Sequence, residues 1–299
     1  NEFYKYQANA FDDPLYRLHF SSDAPLEISA LVFVPGENPE RWGFGKVDPG
    51  VSLYSRRILI DPKPDGLLPD WLRFLKGVVD SSDIPLNISR ESMQDSALTK
   101  KIGQVIAGRF IKFLEDEAKK DPAKFEEFYK KFSIYLKEGI AADIKNRDQL
   151  AKLLRYESSA TENGKLTTLE EYVSRMKDGQ KEIYYLYAPS REILEAGPHI
   201  EAFRARGLEV LYLFEPVDEF VMTSLGKYGD KELVSADNAS IDLGDDEAAP
   251  ESKVSEEDAK ALTEWFKEVL GDRVNEVVMS KRLVDSPAVA LNADKFMTP

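Results

Sequence analysis

The chain has 299 residues, of which 42% are hydrophobic and 31% are charged, and it carries a formal net charge of −14 and no cysteine. The length allows two or three domains with sizeable cores, and the composition is typical of a soluble globular protein. The acidic balance argues against non-specific nucleic-acid binding and against docking on anionic lipid, because both need an excess of lysine and arginine. The absence of cysteine excludes disulfides, thiolate metal sites and cysteine nucleophiles. No apolar run approaches the roughly 20 residues that span a bilayer.

The first part of the chain predicts strands. Residues 22–35 approach an alternation of apolar and polar side chains, which predicts a strand closed by Pro35. Residues 51–60 predict a second strand, and residues 67–79 predict a helical turn followed by a third strand.

Amphipathic helices follow these strands. From Leu98 to Leu114, apolar residues recur every three or four positions, which predicts one long helix with a buried face. Asp121 and Pro122 break this pattern, and a second amphipathic helix, rich in phenylalanine, follows them. A third helix is predicted over residues 149–155. The aromatic stripes are interpreted as core.

The next stretch predicts a smaller α/β unit. A threonine stands three residues before a glutamate in residues 167–171, which indicates a capping box at the start of a short helix. Residues 183–187 and 208–214 predict two strands, and residues 193–206 predict the helix between them. Strand, helix and strand with short connections predict a parallel pair. A helical turn at residues 218–225 closes this unit.

The last stretch begins with an acidic segment and ends in mixed structure. Residues 237–255 are small and acidic, and they predict a solvated linker. Its carboxylates do not follow the EF-hand spacing, so no metal site is predicted there. A helix is expected over residues 255–270, followed by strands over 274–279 and 282–291.

A polar segment lies between a buried apolar run and the first long helix. Residues 71–79 are largely apolar, residues 80–83 form a turn, and residues 87–94 read Asn-Ile-Ser-Arg-Glu-Ser-Met-Gln. An arginine on a loop that is anchored at both ends can be held rigidly and aimed at an anion. From spacing alone, Arg90 is better interpreted as an ordinary solvated arginine at a helix entry.

The same segment carries a family resemblance. Residues 77–91, Gly-Val-Val-Asp-Ser-Ser-Asp-Ile-Pro-Leu-Asn-Ile-Ser-Arg-Glu, resemble the signature of the middle domain of the heat-shock protein 90 chaperone family. The resemblance implies that Arg90 reaches the γ-phosphate of ATP, and that Asn87 and Gln94 support the loop. It also implies that ATP and Mg²⁺ are bound by a separate N-terminal domain. We therefore expect this chain alone to hold no cofactor or metal and to hydrolyse no ATP.

The resemblance also implies a domain organisation within an α/β fold. We expect a larger α-β-α sandwich subdomain over residues 1–120, a helical connector over 121–160 and a smaller α-β-α subdomain over 161–236. An acidic linker over 237–254 would follow. Residues 255–299 would form the start of a partial α+β C-terminal domain, without the helices through which that domain dimerises in the family.

Partners and location follow from the resemblance too. The expected partners are the protein's own N-terminal ATPase domain and client proteins. A homodimer is expected for the full-length protein and a monomer for this fragment, with no nucleic acid and no membrane. Trp42 and Phe44 are candidates for client contact, although capping of the core is the favoured interpretation. Several short stretches of the sequence resemble the mitochondrial branch of the family, which implies that the protein is located in the mitochondrial matrix. The bacterial branch, and so the bacterial cytoplasm, is the alternative.

Chemistry for a self-contained enzyme is missing from the sequence. The segment Gly43-Phe-Gly-Lys46 is too short for a P-loop and lacks its Ser or Thr, and no nucleophile elbow occurs. The two histidines, His19 and His199, are far apart, which argues against a histidine metal site or a Ser-His-Asp triad. His19 is expected in a core or rim position. The rival function is a scaffold or client-binding module that contributes nothing to ATP turnover.

Overall fold

The computed structural model describes residues 1–41, 43, 45–86, 97–238, 240–241, 243, 255–280 and 282–292. These residues confirm the predicted α/β fold. They form two compact units, Asn1–Arg155 and Tyr156–Pro299. Each unit is built on a five-stranded sheet. The finer division into five segments stays a prediction.

The first unit contains a mixed sheet. Its strands are β1 (Tyr16–Ser22), β2 (Ile28–Val34), β3 (Gly50–Ser55), β4 (Ile58–Asp61) and β5 (Lys76–Ser81). Their order in the sheet is β1-β2-β5-β3-β4. β3 pairs with β5 in parallel, and the pairs β1–β2, β2–β5 and β3–β4 are antiparallel. The predicted strand closed by Pro35 and the helical turn before the third strand, Asp70–Leu72, are therefore confirmed.

Helices cover both faces of this sheet. They are α1 (Glu2–Ala8), α2 (Ala97–Lys120), α3 (Pro122–Ala142) and the short α4 (Arg147–Ala151). Successive side chains of a strand point to opposite faces. Phe33 packs on Tyr4 of α1, with ring centroids 5.4 Å apart. Tyr16 lies opposite the next residue of β2 and packs on Phe113 of α2 and Phe128 of α3. The first unit is therefore an α-β-α sandwich.

The break between the two long helices follows from local chemistry, as predicted. Asp121 is the N-cap of α3, and its side chain accepts a hydrogen bond from the Lys124 backbone N–H at 3.1 Å. Pro122 occupies the first helical position, where a missing N–H costs nothing. The third helix is shorter than predicted, since α4 ends at Ala151.

The prediction of one strand over residues 51–60 is wrong. This stretch is a hairpin, because Arg56 and Arg57 have positive φ angles of 49° and 67° and turn the chain between β3 and β4. A two-residue turn with positive φ at both positions matches the right-handed twist of the paired strands. Gly and Asn are the usual residues there, so two arginines give no signal of a turn.

The second unit contains another mixed sheet. Its elements are β6 (Glu157–Ser158), α5 (Leu169–Arg175), β7 (Glu182–Tyr187), α6 (Arg191–Ala196), α7 (Glu201–Ala205), β8 (Val210–Leu213), α8 (Pro216–Leu225), β9 (Lys227–Tyr228), β10 (Lys231–Ser235) and α9 (Glu256–Leu270). The strand order is β6-β8-β7-β10-β9, with β7 parallel to both β8 and β10. The predicted parallel pair is confirmed, and the hairpin of β9 and β10 was not foreseen.

The sheet of the second unit is also covered on both faces. Tyr184 of β7 packs on Phe203 of α7, with ring centroids 4.8 Å apart. The next residue, Tyr185, points to the other face and hydrogen-bonds Thr223 of α8. The predicted capping box is confirmed at Thr168, whose hydroxyl accepts from the Glu171 N–H while the Glu171 carboxylate accepts from the Thr168 N–H, both at 2.9 Å.

Two predictions in the second unit need correction. The helix predicted over residues 193–206 is interrupted, because α6 ends before Gly197, Pro198–Ile200 is a 3-10 turn and α7 begins at Glu201. A proline lacks the N–H that a continuous helix needs. The two C-terminal strands are also wrong. Among the described residues from 274 to 292, the only strand-like pairing is the bridge between Asn292 and Asn238.

The start of the predicted acidic linker is wrong, whereas the last helix is confirmed. The predicted linker starts at residue 237, yet Asp237 and Asn238 are 4% and 3% exposed and pack in the turn that follows β10. Much of the rest of that segment lies outside the described residues. The last helix is confirmed: Ser255 caps α9 by accepting from the Asp258 N–H at 3.1 Å, and Gly271 follows its end.

Candidate functional site

The predicted site residues themselves lie outside the part of the chain that the structure describes. This holds for Asn87, Arg90 and Gln94, and equally for Trp42 and Phe44. We call residues 87–94 the arginine segment. The described residues on either side of it show how its two ends are held.

The chain enters the arginine segment from the middle of a sheet. β5 lies between β2 and β3, so both of its edges are hydrogen-bonded. Its last residue, Ser81, is 1% exposed, and Ile84 beyond it is 2% exposed. The Ser55 hydroxyl donates a buried hydrogen bond of 2.6 Å to the Ile84 carbonyl oxygen. The chain is therefore fixed three residues before Asn87.

The turn between β5 and Ile84 is bonded to its neighbours as well. The Asp80 carboxylate accepts from the Arg57 backbone N–H at 2.8 Å. The Asp83 carboxylate accepts from the Glu27 backbone N–H at 2.9 Å, and the Ser82 hydroxyl donates to the Glu27 carboxylate at 2.5 Å. These hydrogen bonds connect the turn to two different loops, which restricts the movement of the turn.

The chain leaves the arginine segment through α2, whose first turns are buried. Thr99 is 1% exposed, and Ile102 is fully buried. Gly103 lies so close to the Leu67 carbonyl oxygen that a Cβ built on it would be 2.0 Å from that atom. Only glycine allows this approach of a helix to a neighbouring backbone. Both ends of the arginine segment are thus anchored by core, as the sequence indicated.

Three exposed apolar side chains lie near the entry to the segment. Ile58 and Leu59, which follow the hairpin turn, are 54% and 47% exposed, and Leu86 is 48% exposed. Ser55 of the same hairpin bonds the Ile84 carbonyl, so the hairpin lies near the entry to the segment. Ile58 and Leu59 are successive residues of β4 and point to opposite faces of the sheet. We call Ile58, Leu59 and Leu86 the flanking apolar residues.

A second arginine in this unit has a different role that the sequence did not reveal. The Arg73 guanidinium is 5% exposed, and its Nε and Nη2 donate to the Glu40 carboxylate, both at 2.8 Å. It also pairs with Glu138 of α3 and lies 4.7 Å above the Tyr135 ring. The hydrogen bonds from Arg73 hold the pKa of Glu40 below its usual range. Arg73 therefore links the loop before β3 to α3, and its guanidinium N–H groups are used in hydrogen bonds within the first unit.

The two histidines lie in different units, as predicted. His19 is exposed on β1, an edge strand, rather than in a core position. His199 lies in the 3-10 turn before α7. Among the described residues, no group of three or more His, Asp or Glu side chains could hold a metal ion. No helix in the described ranges has both the length and the apolar character that a transmembrane span needs.

Comparison with known proteins places this arrangement in a family. The family model described as "Hsp90 protein" matches residues 1–298. A chaperone protein HtpG of Desulfitobacterium hafniense is 51% identical over 97% of this chain and 48% of its own length. The mitochondrial TNF receptor-associated protein 1 homolog of Dictyostelium discoideum is 42% identical over 97% of this chain and 42% of its own length. The mitochondrial heat shock protein 75 kDa of Bos taurus is 41% identical over 96% of this chain.

These relatives include bacterial and mitochondrial proteins, the two branches of the family considered in the sequence analysis. The chain spans about half the length of these relatives or less, 42–48%. A match over 298 residues, carried by both units, decides the classification. The chain belongs to the Hsp90 protein family.

Proposed function

We propose that this chain is the middle part of an ATP-dependent molecular chaperone and supplies Arg90 to ATP bound in a separate N-terminal domain. Asn87 and Gln94 support the loop, and Mg²⁺ is bound with the nucleotide. The observation that carries the proposal is the arginine segment of an Hsp90 family member, anchored by Ile84 on one side and by α2 on the other.

The chemistry suits an arginine that arrives from another domain. Transfer of a phosphoryl group to water mainly requires stabilisation of charge on the phosphate oxygens. An arginine supplied in this way contributes about 10³–10⁵ in rate. The protein must then hold the guanidinium in place and let closure decide when it reaches the phosphate. A rigid frame on both sides of the loop meets the first requirement.

The flanking apolar residues offer apolar area for docking of another domain. Three large aliphatic side chains, Ile58, Leu59 and Leu86, remain about half exposed beside the arginine segment. In this proposal the nucleotide-binding domain covers Leu86 and one of the two β4 side chains when Arg90 engages ATP, so burial of apolar area favours the closed state.

The remaining roles follow the family. The full-length protein is proposed to act as a homodimer and to bind unfolded client proteins. Its location is proposed as the mitochondrial matrix, with the bacterial cytoplasm as the alternative, because relatives of both kinds share more than 40% identity with this chain.

Reconstitution from two parts tests the proposal. The isolated nucleotide-binding domain is mixed with this chain, and ATP hydrolysis is measured. We expect the chain to stimulate hydrolysis and Arg90→Ala to abolish the stimulation. Arg17→Ala is the matched control, since Arg17 is exposed on the edge strand β1. Equal stimulation by Arg90→Ala and Arg17→Ala would contradict the role of Arg90, and no stimulation by the wild-type chain would favour the scaffold function.

A further inference from the structure

Lys76 lies at the start of the central strand of the first sheet. It is the first residue of β5, with Phe33 of β2 and Gly50 of β3 opposite it in the register. Its side chain lies across Gly50, because a Cβ built on that glycine would be 2.2 Å from the Lys76 Cδ and 2.7 Å from its Nζ. The lysine therefore occupies the space of a missing side chain, and its aliphatic stem is held against the sheet.

The face of the sheet that carries Lys76 is covered by other parts of the first unit. Gly50 and Ser52 are two positions apart on β3, so their side chains belong to the same face. The Ser52 hydroxyl donates to the Pro62 carbonyl oxygen at 2.9 Å and accepts from the Gln7 side-chain amide of α1 at 2.8 Å. Both α1 and the chain that follows β4 therefore lie over this face. Lys76 is accordingly half-buried.

The amine of Lys76 has no partner of its own. Among the described residues, its Nζ makes no hydrogen bond and no ion pair, yet it is accessible to water. The charged side chains that act on it are Lys63 and Asp48, which pair with each other at 3.0 Å. None of the described charged residues of α1, β2 and β3 is among them. A protonated amine at this position loses part of its hydration without gaining a carboxylate in exchange.

This environment favours the neutral form of the amine. Burial lowers the pKa of Lys76, the positive charge of Lys63 lowers it further, and Asp48 acts in the opposite direction. The neutral amine is the nucleophilic form of a lysine. Lys112 on α2 is the opposite case, because its amine pairs with Asp116 at 2.8 Å, which raises the pKa of Lys112. At neutral pH a larger fraction of Lys76 than of Lys112 is therefore in the reactive form.

We propose that Lys76 is an acylation site for small activated acyl donors, for which acetyl phosphate is the probe. The neutral Nζ attacks the carbonyl carbon of the donor, a C–N bond forms, and the C–O bond to the phosphate breaks. Inorganic phosphate leaves with the bonding electron pair, and the nitrogen gives its extra proton to solvent. The product is a neutral amide, so the modification removes a charge that has no counter-ion among the described residues. This site lies in the first unit and does not depend on the role of Arg90.

Mass spectrometry of the wild-type chain after brief treatment with acetyl phosphate tests the proposal. At neutral pH we expect Lys76 to be acetylated severalfold faster than Lys112, although Lys112 is the more exposed of the two. The ratio of the two rates should fall as the pH rises, because Lys112 then loses its proton as well. In the urea-unfolded chain the preference should vanish, since it comes from the fold. A rate for Lys76 at or below that of Lys112 at neutral pH, or a preference that persists on unfolding, would overturn the proposal.

Variants of neighbouring lysines give a second test. Lys63→Gln removes the nearby cation and releases Asp48 to stabilise the protonated amine, so acetylation of Lys76 at neutral pH should slow severalfold. Lys46→Gln is the matched control, because Lys46 pairs with Asp70 at 2.7 Å and neither residue acts on Lys76. The side chains of Lys46 and Lys63 are 66% and 65% exposed, so both variants are expected to fold. Equal rates of Lys76 acetylation in the two variants would contradict a site activated by its surroundings.

Discussion

Replacing Gly103 by alanine tests whether α2 is fixed against the backbone before β5. A Cβ at residue 103 would lie 2.0 Å from the Leu67 carbonyl oxygen, whereas real Cβ atoms essentially never come within 3.0 Å of such an atom. The helix must therefore move by about 1 Å, although Ile102 and Ile106 beside it are fully buried. Overpacking of this kind costs about 3 kcal/mol at the upper end of the usual range. Alanine recovers about 1 kcal/mol of helix propensity, which leaves a net loss of about 2 kcal/mol.

Gly108→Ala in the same helix is the matched control, because a Cβ there meets nothing within 4 Å. It should gain about 1 kcal/mol from helix propensity alone. Urea unfolding, followed by the fluorescence of the buried Trp71, measures both variants. With a slope of about 2 kcal/mol per M, the midpoint of Gly103→Ala should fall by about 1 M. A midpoint for Gly103→Ala at or above that of the wild type would refute the close packing of α2.

Other predictions concern charges and caps. Arg73→Ala leaves Glu40 and Glu138 without their partner and should cost about 3–5 kcal/mol in urea unfolding. Because Arg73 holds the pKa of Glu40 low, the Arg73–Glu40 pair stabilises the fold at pH values above the ordinary pKa of a glutamate, and this contribution is lost as the pH falls below that pKa. The free energy of unfolding should therefore fall less steeply with acid in Arg73→Ala than in the wild type. Glu201→Ala should speed amide hydrogen exchange at residues 284–286; unchanged exchange would contradict its role. Hydrogen bonds from that segment lower the pKa of Glu201 to about 2, so acid should release the segment only as pH falls below the usual range of a glutamate and towards 2. Thr168→Ala should cost about 1 kcal/mol, and an unchanged unfolding midpoint would exclude the capping box as a source of stability.

Local sequence patterns predicted the elements whose causes are local. The alternation in β2, the apolar stripe of α2 and the helix break at Asp121 and Pro122 depend on residues a few positions apart. The turn at Arg56 and Arg57 was missed because positive φ at these positions is imposed by strand pairing and not by residue type.

Long-range partners explain the other errors. Residues 284–286 look like a strand, but their N–H groups bond to the carboxylate of Glu201, more than 80 positions earlier. The carboxylates that bind Arg73 are likewise 33 and 65 positions away. A pattern search along the chain contains no information about such pairs.

The candidate site could be predicted only through the family resemblance. Spacing alone does not distinguish an arginine aimed at a ligand from a solvated one. In our proposal the ligand of Arg90 belongs to a different domain, so this chain carries no sign of it. The structure adds the anchors on either side, which depend on Ser55 and Leu67 from other parts of the first unit.

The most direct measurement compares ATP binding and ATP turnover in the full-length protein with Arg90 replaced by alanine. Calorimetry measures the Kd for ATP, and steady-state hydrolysis measures kcat. The proposal predicts a Kd close to that of the wild type and a kcat lower by about 10³-fold or more, since the arginine acts mainly on the transition state. An unchanged kcat would contradict it.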